Sequence, residues 1–119
     1  MPDVAADGDP ATAMAVYSSD QWQQIGGTSA STPLWAGLMA IANQIAGHPL
    51  GFINPALYKL AISSSYALDF RDITVGNNSI SHGVHVMGYS ATKGWDAITG
   101  LGAPIAEKLL PDLITSMKQ

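Results

Sequence analysis

The sequence predicts an α/β domain, and three observations carry that expectation. A strand, a turn and a helix follow one another directly: Trp22-Gln23-Gln24-Ile25 alternates in character, Gly26-Gly27 supplies the turn, and 34–45 repeats apolar residues at helical spacing. Ahead of them, the short segments 13–17 and 22–25 flank Ser18-Ser19-Asp20-Gln21, which reads as a β-hairpin leading into the glycine turn. Composition supplies the third observation. The chain has 119 residues, 47% of them apolar and only 12% charged, enough to bury one core and too apolar for a disordered segment.

In chain order, residues 2–10 hold three aspartates and two prolines and read as a turn-rich surface entry. The hairpin then positions the turn 26–33. There the paired glycines free the backbone, Ser31 or Thr32 serves as helix cap, and Pro33 suits a first helical turn. The helix expected over 33–46 places Trp35, Leu38, Met39, Ala42 and Ile45 on one buried face, and Gly47 with Pro49 ends it. A second helix is predicted with Asn54 as cap, Pro55 at its first position and 56–62 as body. From Phe70 the chain turns to loops with polar punctuation, and 104–110 closes it as a short helix stopped by Pro111.

Two places carry chemistry. Ser29 sits on a strand-to-helix turn, where unpaired N–H groups favour the negative charge that an acyl-transfer intermediate develops. A glycine turn with a capping serine answers the same local pattern. In the loops 70–102, the separated carboxylates of Asp72 and Asp96, with glycines near them, suit a hard cation that prefers oxygen, although loop aspartates without metal fit that spacing too and no EF-hand pattern is present.

Composition also limits partners. The net charge is −4 and no Lys/Arg cluster exists, which gives nucleic acid or an anionic membrane nothing to bind. The absence of cysteine excludes disulfides and thiolate metal sites. No basic segment followed by an apolar run opens the sequence, and no stretch of 18 apolar residues occurs, so neither an export signal nor a membrane span is expected in this chain.

Several motifs in a fixed order resemble one family. Pro2-Asp3-Val4, then 27–37 (Gly-Thr-Ser-Ala-Ser-Thr-Pro-Leu-Trp-Ala-Gly), then 51–58, Phe70-Arg71-Asp72-Ile73-Thr74, Gly76-Asn77-Asn78, Gly94-Trp95-Asp96 and Thr99-Gly100-Leu101-Gly102 are similar to the C-terminal part of sedolisins, the serine-carboxyl peptidases. The resemblance implies a subtilisin-like α/β catalytic domain built on a mainly parallel sheet, with residues 1–119 as its C-terminal portion. It implies Ser29 as the nucleophile, its own N–H contributing to the oxyanion hole. It also implies one Ca²⁺, bound by the carboxylates of Asp72 and Asp96 and the main-chain carbonyls of Ile73, Thr92 and Gly94. Thr92 stands where relatives often have glycine.

In that family a glutamate backed by an aspartate activates the serine, and a further aspartate supports the oxyanion, all far upstream. The one glutamate here, Glu107, lies beyond the calcium motif and has no such counterpart. A hydroxyl nucleophile needs an adjacent base, so the isolated chain is expected to be nearly inactive, with the rest of the catalytic domain or a complementing chain as partner and a peptide or protein as substrate. Secretion is expected by resemblance. The competing expectation is a non-catalytic, calcium-stabilised structural or binding module; an esterase of the Gly-x-Ser-x-Gly type is disfavoured because Ser29 is flanked by Gly27 and Ser31.

Overall fold

The first structured element is the predicted hairpin. In the computed structural model, which describes residues 1–12, 14–81 and 83–118, strand β1 (Met14–Ser18) pairs antiparallel with β2 (Gln21–Ile25), in a register running from Met14 opposite Ile25 to Ser18 opposite Gln21. Ala13, placed in the first strand by sequence, lies outside the described residues. Ser19 and Asp20 both take positive φ, 52° and 59°, the two-residue turn whose twist matches that of the strands. Tyr17 and Trp22 close the hairpin edge to face, their ring centroids 5.4 Å apart.

Helix α1 runs from Thr28 to Ala46, starting a turn and a half before the position suggested by Pro33. A proline inside a helix removes the bond to the carbonyl four residues back, and here that carbonyl is Ser29's, in the first turn. The capping prediction is also corrected. Gly27 occupies the cap position without any side-chain cap, and the Ser31 hydroxyl instead donates to the main-chain oxygen of Asp7 at 2.9 Å, with Ala6 O at 3.3 Å. Gly47, with φ 76°, ends the helix as predicted. Of the expected buried face only Ala42 is buried, and Ile45 is 62% exposed; Ile41, outside that face, is 47% exposed.

Residues Ala6–Leu50 form one compact unit, and Met1–Ala5 with Gly51–Gln119 a second. The second unit is built on helices α2 (Asn54–Ala61), α3 (Tyr66–Asp69) and α4 (Ala106–Met117), with a two-residue antiparallel ladder of β3 (Phe70–Arg71) and β4 (Ala103–Pro104). Its core is Leu57, Leu60, Phe70, Leu109, Leu113 and Ile114. Asn54 does not cap α2. Its amide donates to Asp3 at 3.0 Å, Tyr58 adds a 2.7 Å bond to the same carboxylate, and Ile53 takes the cap position. Pro111 does not stop α4 either: it is the sixth residue of the helix, as Pro33 is of α1. The loss of one hydrogen bond there is outweighed by burial of Leu109, Leu110, Leu113 and Ile114 along one stripe. Strand pairing is antiparallel in both sheets among the described residues, so none of them shows the parallel pairing that the resemblance implies.

Candidate functional site

The turn that carries Ser29 is held from below. Gly27 N donates to Gly8 O at 2.6 Å, and Ser31 anchors the helix's first turn to Ala6 and Asp7. Gly26 passes so close to Pro10 that an added Cβ would lie 2.7 Å from its Cα, and Gly27 has φ 78°. Glycine is needed at both, once for space and once for conformation.

Ser29 itself is exposed at the second position of α1. Ala30 N and Ser31 N bond to Gly27 O; among the described residues, the Thr28 and Ser29 N–H groups have no main-chain acceptor. They are the donors that a helix start leaves over, and they point where an anion is favoured. Beside the serine lies a recess of about 430 Å³, lined by Met14, Val16, Ile25, Pro33 and Leu34. Apart from Ser29 its walls are apolar. Among the described residues no carboxylate hydrogen-bonds to the Ser29 hydroxyl.

The loops around Asp72 and Asp96 form a second polar centre. Asp96 is 4% exposed and accepts four hydrogen bonds, from Ile98 N (2.9 Å), Thr99 N (2.8 Å), Thr92 N (3.1 Å) and Thr99 Oγ1 (3.0 Å). Burial alone would raise its pKa; the Thr99, Ile98 and Thr92 donors outweigh that and hold the carboxyl below the usual range. Asp72 Oδ2 accepts from Gly94 N at 2.8 Å, while Asp72 Oδ1 is buried with no partner. Tyr66, whose hydroxyl donates to Leu101 O at 3.2 Å, is pushed up to about 12, by burial first and then by the charges of Asp72 and Asp96.

Whether this donor set fits a cation can be judged atom by atom. Asp72 Oδ1 lacks a donor, and among the described residues no hydrogen bond ends on the carbonyls of Ile73, Thr92 or Gly94. Four hard oxygens are therefore uncommitted. Asp96 differs, since its lone pairs are already matched by N–H and O–H donors and one must be released for it to ligate. Thr92 has no positive φ among the described residues, so threonine meets no backbone penalty there. Among the described residues no group of three or more His, Asp or Glu side chains converges, in these loops or anywhere else; the two carboxylates here would have to be completed by main-chain oxygens.

Sequence reasoning missed Ser31 as a tether and Thr99 as a double donor to Asp96. Thr99 was readable: an aspartate three residues before a threonine is a common turn-closing pair. Ser31 was not, because its partners lie 24 and 25 residues away.

No protein-family model matches the chain. Kumamolisin from Bacillus sp. (strain MN-32) is 45% identical over 119 residues, covering the whole chain and 20% of that protein. Sedolisin from Pseudomonas sp. (strain 101) is 38% identical over 109 residues, covering 92% of the chain and 18% of that protein. Among solved structures, Pseudomonas sedolisin, a serine-carboxyl proteinase complexed with two molecules of pseudo-iodotyrostatin, superposes with a TM-score of 0.83 at 33% identity, over 97% of this chain and 30% of that one. The chain thus spans about a fifth of the length of the curated relatives it matches. With sequence and backbone agreeing from end to end, the chain belongs to the sedolisin family.

Proposed function

We propose that this chain supplies the nucleophile and a Ca²⁺ site of a serine-type, acid-acting endopeptidase, and that the activating carboxylates come from outside its 119 residues. The observation that supports this most is the exposed Ser29 at the second position of α1, above a fixed glycine turn and beside an apolar recess. In this reading Ser29 Oγ attacks a peptide carbonyl while a carboxylate base takes its proton. The Ser29 N–H, uncommitted in the helix's first turn, donates to the oxygen that becomes negative. The recess takes an apolar substrate side chain next to the scissile bond.

Asp72, Ile73, Thr92 and Gly94 would hold the cation through the oxygens left uncommitted, with Asp96 joining by exchanging one donor. When bound, Ca²⁺ supplies positive charge that ties the two loops together. The parallel sheet of a subtilisin-like domain would be contributed by the remainder of that domain. The substrate is a peptide or protein, encountered outside the cytoplasm. A non-catalytic, calcium-stabilised module is the second reading, favoured by the lack of a carboxylate on Ser29 among the described residues.

The deciding experiment is complementation. The chain is mixed with the preceding catalytic segment of kumamolisin, and peptide cleavage is followed at about pH 4, where a carboxylate base still ionises. Cleavage that depends on both parts and disappears in Ser29→Ala supports the peptidase. A folded but inactive complex favours the module.

A further inference from the structure

One buried carboxyl plays no part in this chemistry. Asp69, the last residue of α3, is 0% exposed, and neither of its carboxylate oxygens has a hydrogen-bond partner among the described residues. It lies where the C-terminal helix docks. Its main-chain oxygen accepts from Ile105 N at 2.8 Å, and α3 packs against α2 and α4, whose buried side chains include Leu57, Leu60, Leu109 and Leu113. An ionised carboxylate without partners in such surroundings is costly, and the usual remedy is to neutralise it.

The charged groups around it do not neutralise it. From α4 comes Asp112, another carboxylate, whose charge opposes ionisation of Asp69. From α2 comes Lys59, which lines the adjacent cavity with Asp112 and has an interaction of its own. From α3 comes Tyr66, whose hydroxyl is committed to Leu101 O; from β3 comes Arg71, which is exposed. Nor do the neighbouring hydroxyls make a cation site. Ser63 Oγ is bonded to Leu60 O and to Ser65 Oγ, leaving two carboxylates where a hard cation wants about six oxygens or more.

We propose that Asp69 carries a proton in the folded chain and acts as a pH-sensitive latch, its neutral carboxyl holding α4 against α3 in acid and loosening that contact as the pH rises. Burial pushes the carboxyl above its ordinary range; the Ser65 hydroxyl, near but outside hydrogen-bond geometry, offsets this in part, and the neighbouring Asp112 carboxyl adds to it. For a group raised on folding, the stabilisation is full below the unfolded value and is lost as the pH climbs through the folded one. The latch therefore favours the fold under acid conditions, opposite in sign to Asp96.

The test compares melting of the 119-residue chain and of Asp69→Asn, which keeps the shape and is neutral at every pH. The unaltered chain should melt at least roughly 5 °C lower at about pH 8 than at about pH 4, and Asp69→Asn should lose most of that difference. Should the variant not fold, ¹³C NMR of the Asp69 carboxyl in the unaltered chain decides: a midpoint above the free-aspartate value of about 4 is expected. The proposal is overturned if Asp69 titrates at or below that value, or if Asp69→Asn keeps the full pH dependence. It is equally overturned if added Ca²⁺ or Na⁺ stabilises the chain at high pH through an effect that Asp69→Asn removes, because the occupant would then be a cation.

Discussion

Replacing Asp96 by alanine should be among the most damaging single changes in the loop region. Its carboxylate gathers three main-chain N–H groups and one hydroxyl, all within 3.1 Å, while being 4% exposed. A hydrogen bond to a charged acceptor contributes about 1.5–3 kcal/mol, so four would total far more than a point mutation usually costs. Much of that sum is recovered, because truncation opens the loop and lets water reach Thr92 N and Thr99 Oγ1. A net loss of about 3–4 kcal/mol is expected, against a total stability of roughly 5–15 kcal/mol. Asparagine should be nearly as harmful. It keeps an acceptor for Ile98 N and Thr99 N but turns an amide donor towards Thr92 N. Urea unfolding followed by circular dichroism, with EDTA present throughout, measures the effect without any metal contribution. A loss below about 1 kcal/mol for Asp96→Ala would refute the claim that this carboxylate organises the loop. The pH dependence follows from its lowered pKa: the contribution is present above the unfolded value near 4 and fades as the pH falls through the folded one.

Other consequences can be checked on the same protein. Millimolar Ca²⁺ should raise the melting temperature relative to EDTA, and Asp72→Asn, which alters the one partnerless carboxylate oxygen of the loops, should abolish that response; an unchanged response in the variant removes Asp72 from the site. Gly26→Ala should destabilise the chain by roughly 1–3 kcal/mol, because the new Cβ would meet Pro10 backbone rather than a movable side chain, and differential scanning calorimetry will show whether it does. Ile41 and Ile45 expose an apolar strip on α1, so light scattering should detect self-association that Ile41→Lys reduces; a monomer with both isoleucines in place contradicts this.

The parts of the fold that were legible in sequence are those with short-range causes. The hairpin was readable because alternating strands and a polar turn are neighbours, and Ser29's place at a helix start followed from the adjacent glycines. Proline misled in both directions, at Pro33 as a helix start and at Pro111 as a helix stop, since the rule for a first-turn proline ignores how much apolar burial can carry a helix past one missing bond. Ser31 and Asn54 looked like caps but serve partners distant in sequence, and no local pattern encodes such contacts. Helix α3, at four residues, is too short to show periodicity. Asp69 was unreadable for the same reason, because its burial depends on helices contributed by separate stretches of chain. The family motifs carried more than the local rules did, and the backbone match to sedolisin bears out that recognition.

The most direct test of the central claim is to trap the acyl intermediate. The complemented protein is quenched in acid during turnover of a peptide ester, digested, and mapped by mass spectrometry. An acyl group on Ser29, absent from Ser29→Ala together with the cleavage activity, is the predicted result. Cleavage that persists in Ser29→Ala, or an acyl group carried by any other residue, would contradict the assignment of Ser29 as nucleophile.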